Sequence, residues 1–125
     1  MGPVQTAIRR HLGRGDVLHT PSRRAEFVIG SIDSGGLVLL LGEGRHATPL
    51  SWEGLEGVIP FMASHGGSVR IGSLFDTRAI PGTLDEHLKK WVNRATAGWV
   101  AAVFEASGLC EIDRRRPARV RLVNR

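Results

Sequence analysis

The chain has 125 residues, enough for one domain with a real core and too few for two large ones. With 42% hydrophobic and 23% charged residues it has the balance of a globular protein, and no apolar run approaches the roughly 18 residues of a membrane helix, so a soluble, cytoplasmic protein is expected. The net charge of +5 is unevenly placed: residues 1–62 carry six basic and six acidic side chains, residues 63–125 eleven and six.

Residues 3–12, PVQTAIRRHL, read as a short helix with Pro3 in its first turn and Ala7, Ile8 and Leu12 on one side, ended by Gly13 and Gly15. This opening stretch has neither an apolar signal core nor a cleavage site. From Asp16 to Leu50 short apolar runs alternate with turn residues: DVLHT, AEFVIGSI, LVLLLG and EGRHATPL. That pattern predicts a meander of three or four strands. Asp33-Ser34-Gly35-Gly36 is a tight hairpin turn, because glycine supplies the backbone conformations such turns need. LVLLL, apolar on both faces, is expected to be a central strand.

Ser51 is a good N-cap for a helix over residues 51–64, with Trp52, Leu55, Val58 and Ile59 at helical spacing; Gly54, Gly57 and Pro60 make it short or irregular. His65-Gly66-Gly67 then turns the chain into a further strand, SVRIGSLF, so the sheet is expected to span residues 16–72. After the loop DTRAIPG, Thr83 and Glu86 form a capping box. Leu84, Leu88, Val92, Ala95, Trp99, Val103 and Ala106 keep a helical rhythm as far as Gly108. This predicts one long helix, or two broken near Asn93 with Asn93 capping the second.

Residues 109–123, LCEIDRRRPARVRLV, read as a hairpin closed by a five-residue loop. Cys110, Ile112, Val120 and Leu122 face inward, while Glu111 and Asp113 face outward opposite Arg121 and Arg119. Arg114, Arg115 and Arg116 stand on the loop with no carboxylate assigned to them, and Pro117 stiffens it. Their forked donors suit phosphate; the alternative is a solvated turn. Lys89, Lys90 and Arg94, on the polar side of the preceding helical region, either extend this basic face or are surface charges near a helix C-terminus.

A capped helix, a second helix (RATAGWVAAVFEASG) and a two-stranded hairpin (LCEID and ARVRLV) follow one another over about a third of the chain. In that order residues 83–123 resemble a winged-helix DNA-binding domain. The resemblance implies that the second helix holds the recognition position, that the hairpin is the wing, and that residues 51–64 or 3–12 supply an earlier helix. Thr96, Ala97, Gly98 and Ala101 are small and uncharged, so a groove-entering helix here would give little sequence readout. Packing against another helix would use the same residues. Through GTLDEHLKK, RATAGWVAAVFE and RPARVRLV the chain is also similar to small accessory domains beside the nuclease domains of actinobacterial restriction proteins that act on modified DNA. That likeness implies a targeting role beside a nuclease partner.

Catalytic patterns are incomplete. Gly42-Glu43-Gly44-Arg45-His46-Ala47 fits the dinucleotide pattern G-x-G-x-x-A, but Pro49 follows where a helix should be running and no βαβ unit surrounds it. A glycine turn between strands is the better reading. Ser64-His65-Gly66-Gly67 has the form of an oxyanion-hole turn with no G-x-S-x-G elbow to serve it. The histidines at 11, 19, 46, 65 and 87 are spread singly, Cys110 is the sole cysteine, and no nuclease-type acidic pair is visible. No metal, cofactor or catalysis is therefore expected, and Cys110 is expected to be buried. Arg23, Arg24, Arg45 and His46 read as surface loops of the meander, with Glu26 and Glu43 beside them. Trp52, Trp91 and Trp99 are expected in the core, with Leu39 and Val103.

These observations predict an α+β fold: a small antiparallel sheet or partial barrel followed by helices and a C-terminal winged β-hairpin. It is expected as a single domain over 1–125, with a β-rich lobe over 1–75 and a helical, winged-helix-like lobe over 76–125. The expected function is non-catalytic binding of double-stranded DNA, or alternatively RNA, through Arg114, Arg115, Arg116, Arg119, Arg121, Lys89, Lys90 and Arg94. The role would be that of a regulator or a targeting module, with a second copy or a nuclease as further partner and no membrane. The rival reading is a protein-interaction or oligomerisation domain whose contact face is the helix over residues 83–107.

Overall fold

The computed structural model describes residues 1–72, 78–92 and 94–123. The fold is α+β. After helix α1 (Pro3–His11) come four strands, β1 (Val17–His19), β2 (Glu26–Ile32), β3 (Gly36–Leu41) and β4 (His46–Ser51), paired antiparallel in chain order as an open sheet. β3 lies inside that sheet, with Leu37, Leu39 and Leu41 buried and Val38 and Leu40 half-buried on the other face. The β2–β3 turn is held by Asp33, whose Oδ1 accepts from the Gly35 and Gly36 amides at 2.9 and 3.2 Å. Gly36 also answers to crowding, since a Cβ there would lie 2.2 Å from the Leu50 carbonyl oxygen. The Gly42–Ala47 motif is the glycine turn leading from β3 into β4, with the Arg45 amide donating to the Gly42 carbonyl at 3.2 Å.

Ser51 caps the next helix as its position predicts, accepting from the Gly54 amide at 3.1 Å. The helical stretch divides at Gly57 into α2 (Trp52–Glu56) and α3 (Val58–Ser64). The glycines that shorten it also admit neighbours. His87 Nε2 lies 2.9 Å from the Gly54 carbonyl, and a Cβ on Gly57 would meet the His87 ring at 2.7 Å. His87 belongs to α4 (Leu84–Leu88), whose start is the predicted cap: Thr83 Oγ1 accepts from the Glu86 amide, and Glu86 Oε1 accepts from the Gly82 amide, each at 3.2 Å. α5 (Ala97–Ala106) follows, so the 83–107 region is two helices; Asn93 lies outside the described residues. Because α4 ends at Leu88, Trp91 falls on a turn and is 43% exposed, contrary to the core position expected of it. Leu39 and Val103 are buried and Trp99 half-buried.

The strand read in SVRIGSLF does not join the meander. As β5 (Ser68–Arg70) it pairs with β7 (Arg119–Leu122), which pairs with β6 (Cys110–Asp113), giving a second sheet in the order β5-β7-β6. The remainder of that predicted strand, from residue 73, lies outside the described residues. The Leu122 amide donates to the Gly67 carbonyl at 2.8 Å, so the glycine turn before β5 is fastened to the hairpin and not to β4. One core serves both sheets, running from Val4 and Ile8 through Phe27 and Leu39 to Phe104 and Val120. No helix among the described residues is long and apolar enough to cross a membrane.

α1 has no cap in its own sequence. Glu56 closes it from α2, its carboxylate oxygens accepting from the Val4 and Gln5 amides at 3.0 and 2.8 Å. An anion at a helix N-terminus stabilises by about 0.3–1 kcal/mol, reaching ~2 where partly buried. Glu56→Ala is therefore expected to lower stability by about 1–2 kcal/mol and to speed hydrogen exchange at Val4 and Gln5. Unchanged exchange at those two amides would show that α1 is held by packing alone.

Candidate nucleic-acid interface

Strand alternation builds the outer face of the small sheet. Val69, Cys110 and Val120 point into the core, each no more than 2% exposed, and their neighbours point out. The outward residues stand in two cross-strand rows, Ser68–Arg121–Glu111 and Arg70–Arg119–Asp113. The hairpin register is the one alternation predicts. A shallow depression of about 540 Å³ is lined by Ser68, Glu111, Asp113, Arg115, Arg119 and Arg121, with Ile112 at its floor.

Ion pairing on this face departs from expectation at three arginines. Arg121 pairs with Glu111 as register predicts, with Nε at 3.0 Å from Oε2. Arg119 lies opposite Asp113 but turns the other way, donating to the Ser68 carbonyl at 2.9 Å and to Ser68 Oγ at 3.2 Å. Asp113 is taken instead by Arg115, through Nε at 3.0 Å, Nη2 at 2.8 Å and the Arg115 amide at 3.0 Å. The guanidinium and the amide hold the Asp113 carboxyl down at about 2. A depressed carboxylate keeps its charge until pH falls through that value, so this pair persists across neutral and mildly acid conditions. Arg114 is not free either: Nη1 and Nη2 fork onto Glu105 at 2.9 and 2.7 Å, and Nε donates to the Pro21 carbonyl at 2.9 Å. The pairing raises its guanidinium further above the ordinary value.

Of the three loop arginines, Arg116 alone has no ion pair or hydrogen bond among the described residues. Arg70 joins it. It is exposed on β5, across from Arg119, and likewise has no carboxylate among the described residues. Sequence reasoning misses it: SVR alternation sets Arg70 opposite in sense to Val69 but does not say which sheet the strand enters. The face thus holds Arg70, Arg115, Arg119 and Arg121 against Glu111 and Asp113, four cations to two anions, a net +2, with Arg116 on the hairpin loop beside it in sequence.

The other predicted cations lie apart. Lys89 is not a surface charge: its Nζ is paired with Asp85 Oδ2 one turn back in α4, with side-chain exposures of 8% and 0%. Lys90 and Arg94 are exposed near Trp91 and do not line the depression. α5 carries no exposed residue; Ala97 and Ala101 are buried, and Gly98 faces Pro21, with 3.8 Å between a Cβ built there and the Pro21 Cδ. Its small residues are core contacts.

Cys110 is buried with Sγ 3.9 Å from Met62 Sδ, and desolvation pushes its thiol up to about 12, so it stays protonated at neutral pH. Ser64 Oγ and His65 Nδ1 both lie against the Phe61 carbonyl, at 2.7 and 2.9 Å, closing a helix end. Among the described residues no group of three or more His, Cys, Asp or Glu is placed to hold a metal ion. Comparison of the chain with known protein families, curated proteins and solved structures finds no match.

Proposed function

We propose that the chain is a non-catalytic domain that binds double-stranded DNA by its phosphates, through the outer face of the β5-β7-β6 sheet and the adjoining hairpin loop. One observation carries this reading: Arg70 and Arg119 stand side by side on the outer face of the sheet, Arg116 is on the adjoining hairpin loop, and none of the three has a carboxylate partner among the described residues. Guanidinium groups left in this state suit phosphate oxygens, which accept their donors in pairs. The order α3, β5, α4, α5, β6, β7, with β5 bonded to the hairpin, supports the winged-helix resemblance, while the burial of α5 departs from the recognition position that resemblance implies. With α5 buried, contact falls to the hairpin and the sheet face, so binding is tolerant of sequence. The rival association face over residues 83–107 loses α5, which is spent on the core, and among the described residues keeps Lys90, Trp91 and Arg94 exposed around the turn after α4.

The test is a salt series on a short duplex, followed by fluorescence anisotropy between about 50 and 200 mM salt. Each phosphate left without its arginine is expected to lower the slope of log K against log salt by about 0.9, so replacing Arg70, Arg116 and Arg119 together by alanine lowers it by about 2.7. Arg114→Ala is expected to leave the slope alone, since its charge is already engaged by Glu105. A triple variant with the wild-type slope and an intact melting transition would defeat the proposal. A parallel series on an RNA duplex decides between the two nucleic acids.

A further inference from the structure

Beyond the end of α4 stands a second cationic group, around the one exposed large aromatic side chain among the described residues, Trp91. The turn that carries it is fixed: the Trp91 and Val92 amides donate to the Leu88 carbonyl at 2.9 and 3.0 Å. The root of the ring sits over Gly54, where an added Cβ would come within 2.8 Å of Trp91 Cγ. Trp91 and Val92 wall a cleft of about 370 Å³ whose other side is Val38, Pro49 and Ser51 of the meander, with Asp33 at one end. Lys90 directly precedes Trp91, Arg94 follows three residues on, and both are exposed.

We infer that this cleft takes one unpaired base of a nucleic-acid strand, stacked on Trp91, with Lys90 and Arg94 on the neighbouring phosphates. A rigid indole with two cations beside it is the combination that binds single strands, because every base offers a π-face and every nucleotide a charge. The cleft is near the lower end of the ~300–1,000 Å³ usual for ligand sites, which suits one ring system and not a duplex. The exposed chain neighbours of Trp91, Lys90 and Arg94, are cations outside the cleft that suit phosphate, and the one charged residue lining the cleft, Asp33, has Oδ1 committed to the Gly35 and Gly36 amides. These residues are separate from Arg70, Arg116 and Arg119, and the ligand form differs, so this site stands or falls apart from the duplex-binding face.

The experiment uses the full chain with a fluorescein-labelled dodecamer of deoxythymidine, an abasic strand of equal length, and a duplex. Trp91→Ala is expected to weaken binding of the thymidine strand roughly tenfold, as loss of one stacked base does, and to leave the abasic strand unchanged. Trp91→Phe guards against a folding defect: it should bind the thymidine strand within about threefold of wild type while losing the fluorescence quenching the wild type shows on binding. Lys90→Ala with Arg94→Ala should weaken both single strands and flatten their salt dependence. Thymidine-strand affinity unchanged in Trp91→Ala, an equal loss for the abasic strand, or no quenching in the wild type would each overturn the inference. Duplex binding that responds to the arginine triple variant would survive any of these outcomes.

Discussion

Truncating Phe104 to alanine is expected to cost about 3–5 kcal/mol and to lower Tm by roughly 10–20 °C. Phe104 is 1% exposed in the last turn of α5 and is among the largest fully buried side chains. The backbone around it would be left intact. Its carbonyl accepts from the Leu109 amide at 3.0 Å, and Gly108 takes the positive φ of 75° that ends the helix, neither of which involves the ring. What the variant loses is the transfer energy of the ring and the packing around the void it leaves in a fully buried site. Trp99→Ala is the internal comparison. Although its ring is larger, Trp99 is only half-buried, so it is expected to cost less than Phe104→Ala. Thermal denaturation giving the reverse order would mean that α5 is rotated from the phase described.

Lys89→Ala is expected to destabilise by about 3–5 kcal/mol, as breaking a buried pair does when one charge stays behind. Asp85 has no exposure, and its Oδ1 already lacks a hydrogen-bond partner, so without Lys89 the carboxylate has little left to offset its lost hydration. The double replacement Asp85→Leu with Lys89→Met is expected to recover most of that loss, because two well-packed apolar groups need no compensation. Lys90→Ala, one residue on and exposed, should change stability by less than about 0.5 kcal/mol. Chemical denaturation of the four proteins settles it. A Lys89→Ala variant as stable as wild type would mean that the pair is solvated.

What is legible in the sequence is local. Asp33 reaches Gly35 and Gly36, Ser51 reaches Gly54, and Thr83 reaches Glu86 across two or three residues, so short-range chemistry decides them. The hairpin register is legible for the same reason, since alternation permits one pairing of Cys110 with Leu122 and Ile112 with Val120. Side-chain partners across the fold are not. Arg114 is claimed by Glu105 from the end of α5 and by Pro21, 93 residues away, and no spacing rule reaches either. Arg70 enters the basic face only because β5 pairs with β7, some fifty residues downstream. Lys89 escapes a reading by helical rhythm because that rhythm runs on past Leu88, where α4 stops, and so sets the polar face by the wrong length. Of the predicted cations, Arg115, Arg119 and Arg121 line one depression, Arg116 stands on the hairpin loop, Arg114 is turned away, and Lys89 is inside.

The Arg114 tether bears on rates. A hairpin loop that had to be immobilised on docking would lose side-chain freedom at about 0.5–1.5 kcal/mol for each ordered group, and loop ordering of that kind slows productive encounter. Here Arg114 joins the loop to α5 and to the segment after β1 before any ligand arrives, so that ordering belongs to folding. One cation is withdrawn from the proposed phosphate face, and in return the loop that carries Arg115 and Arg116 is anchored at its first residue. Association at this face should then be governed by electrostatic steering, fast at low ionic strength and falling steeply as salt rises, with no slow rearrangement step after the first encounter.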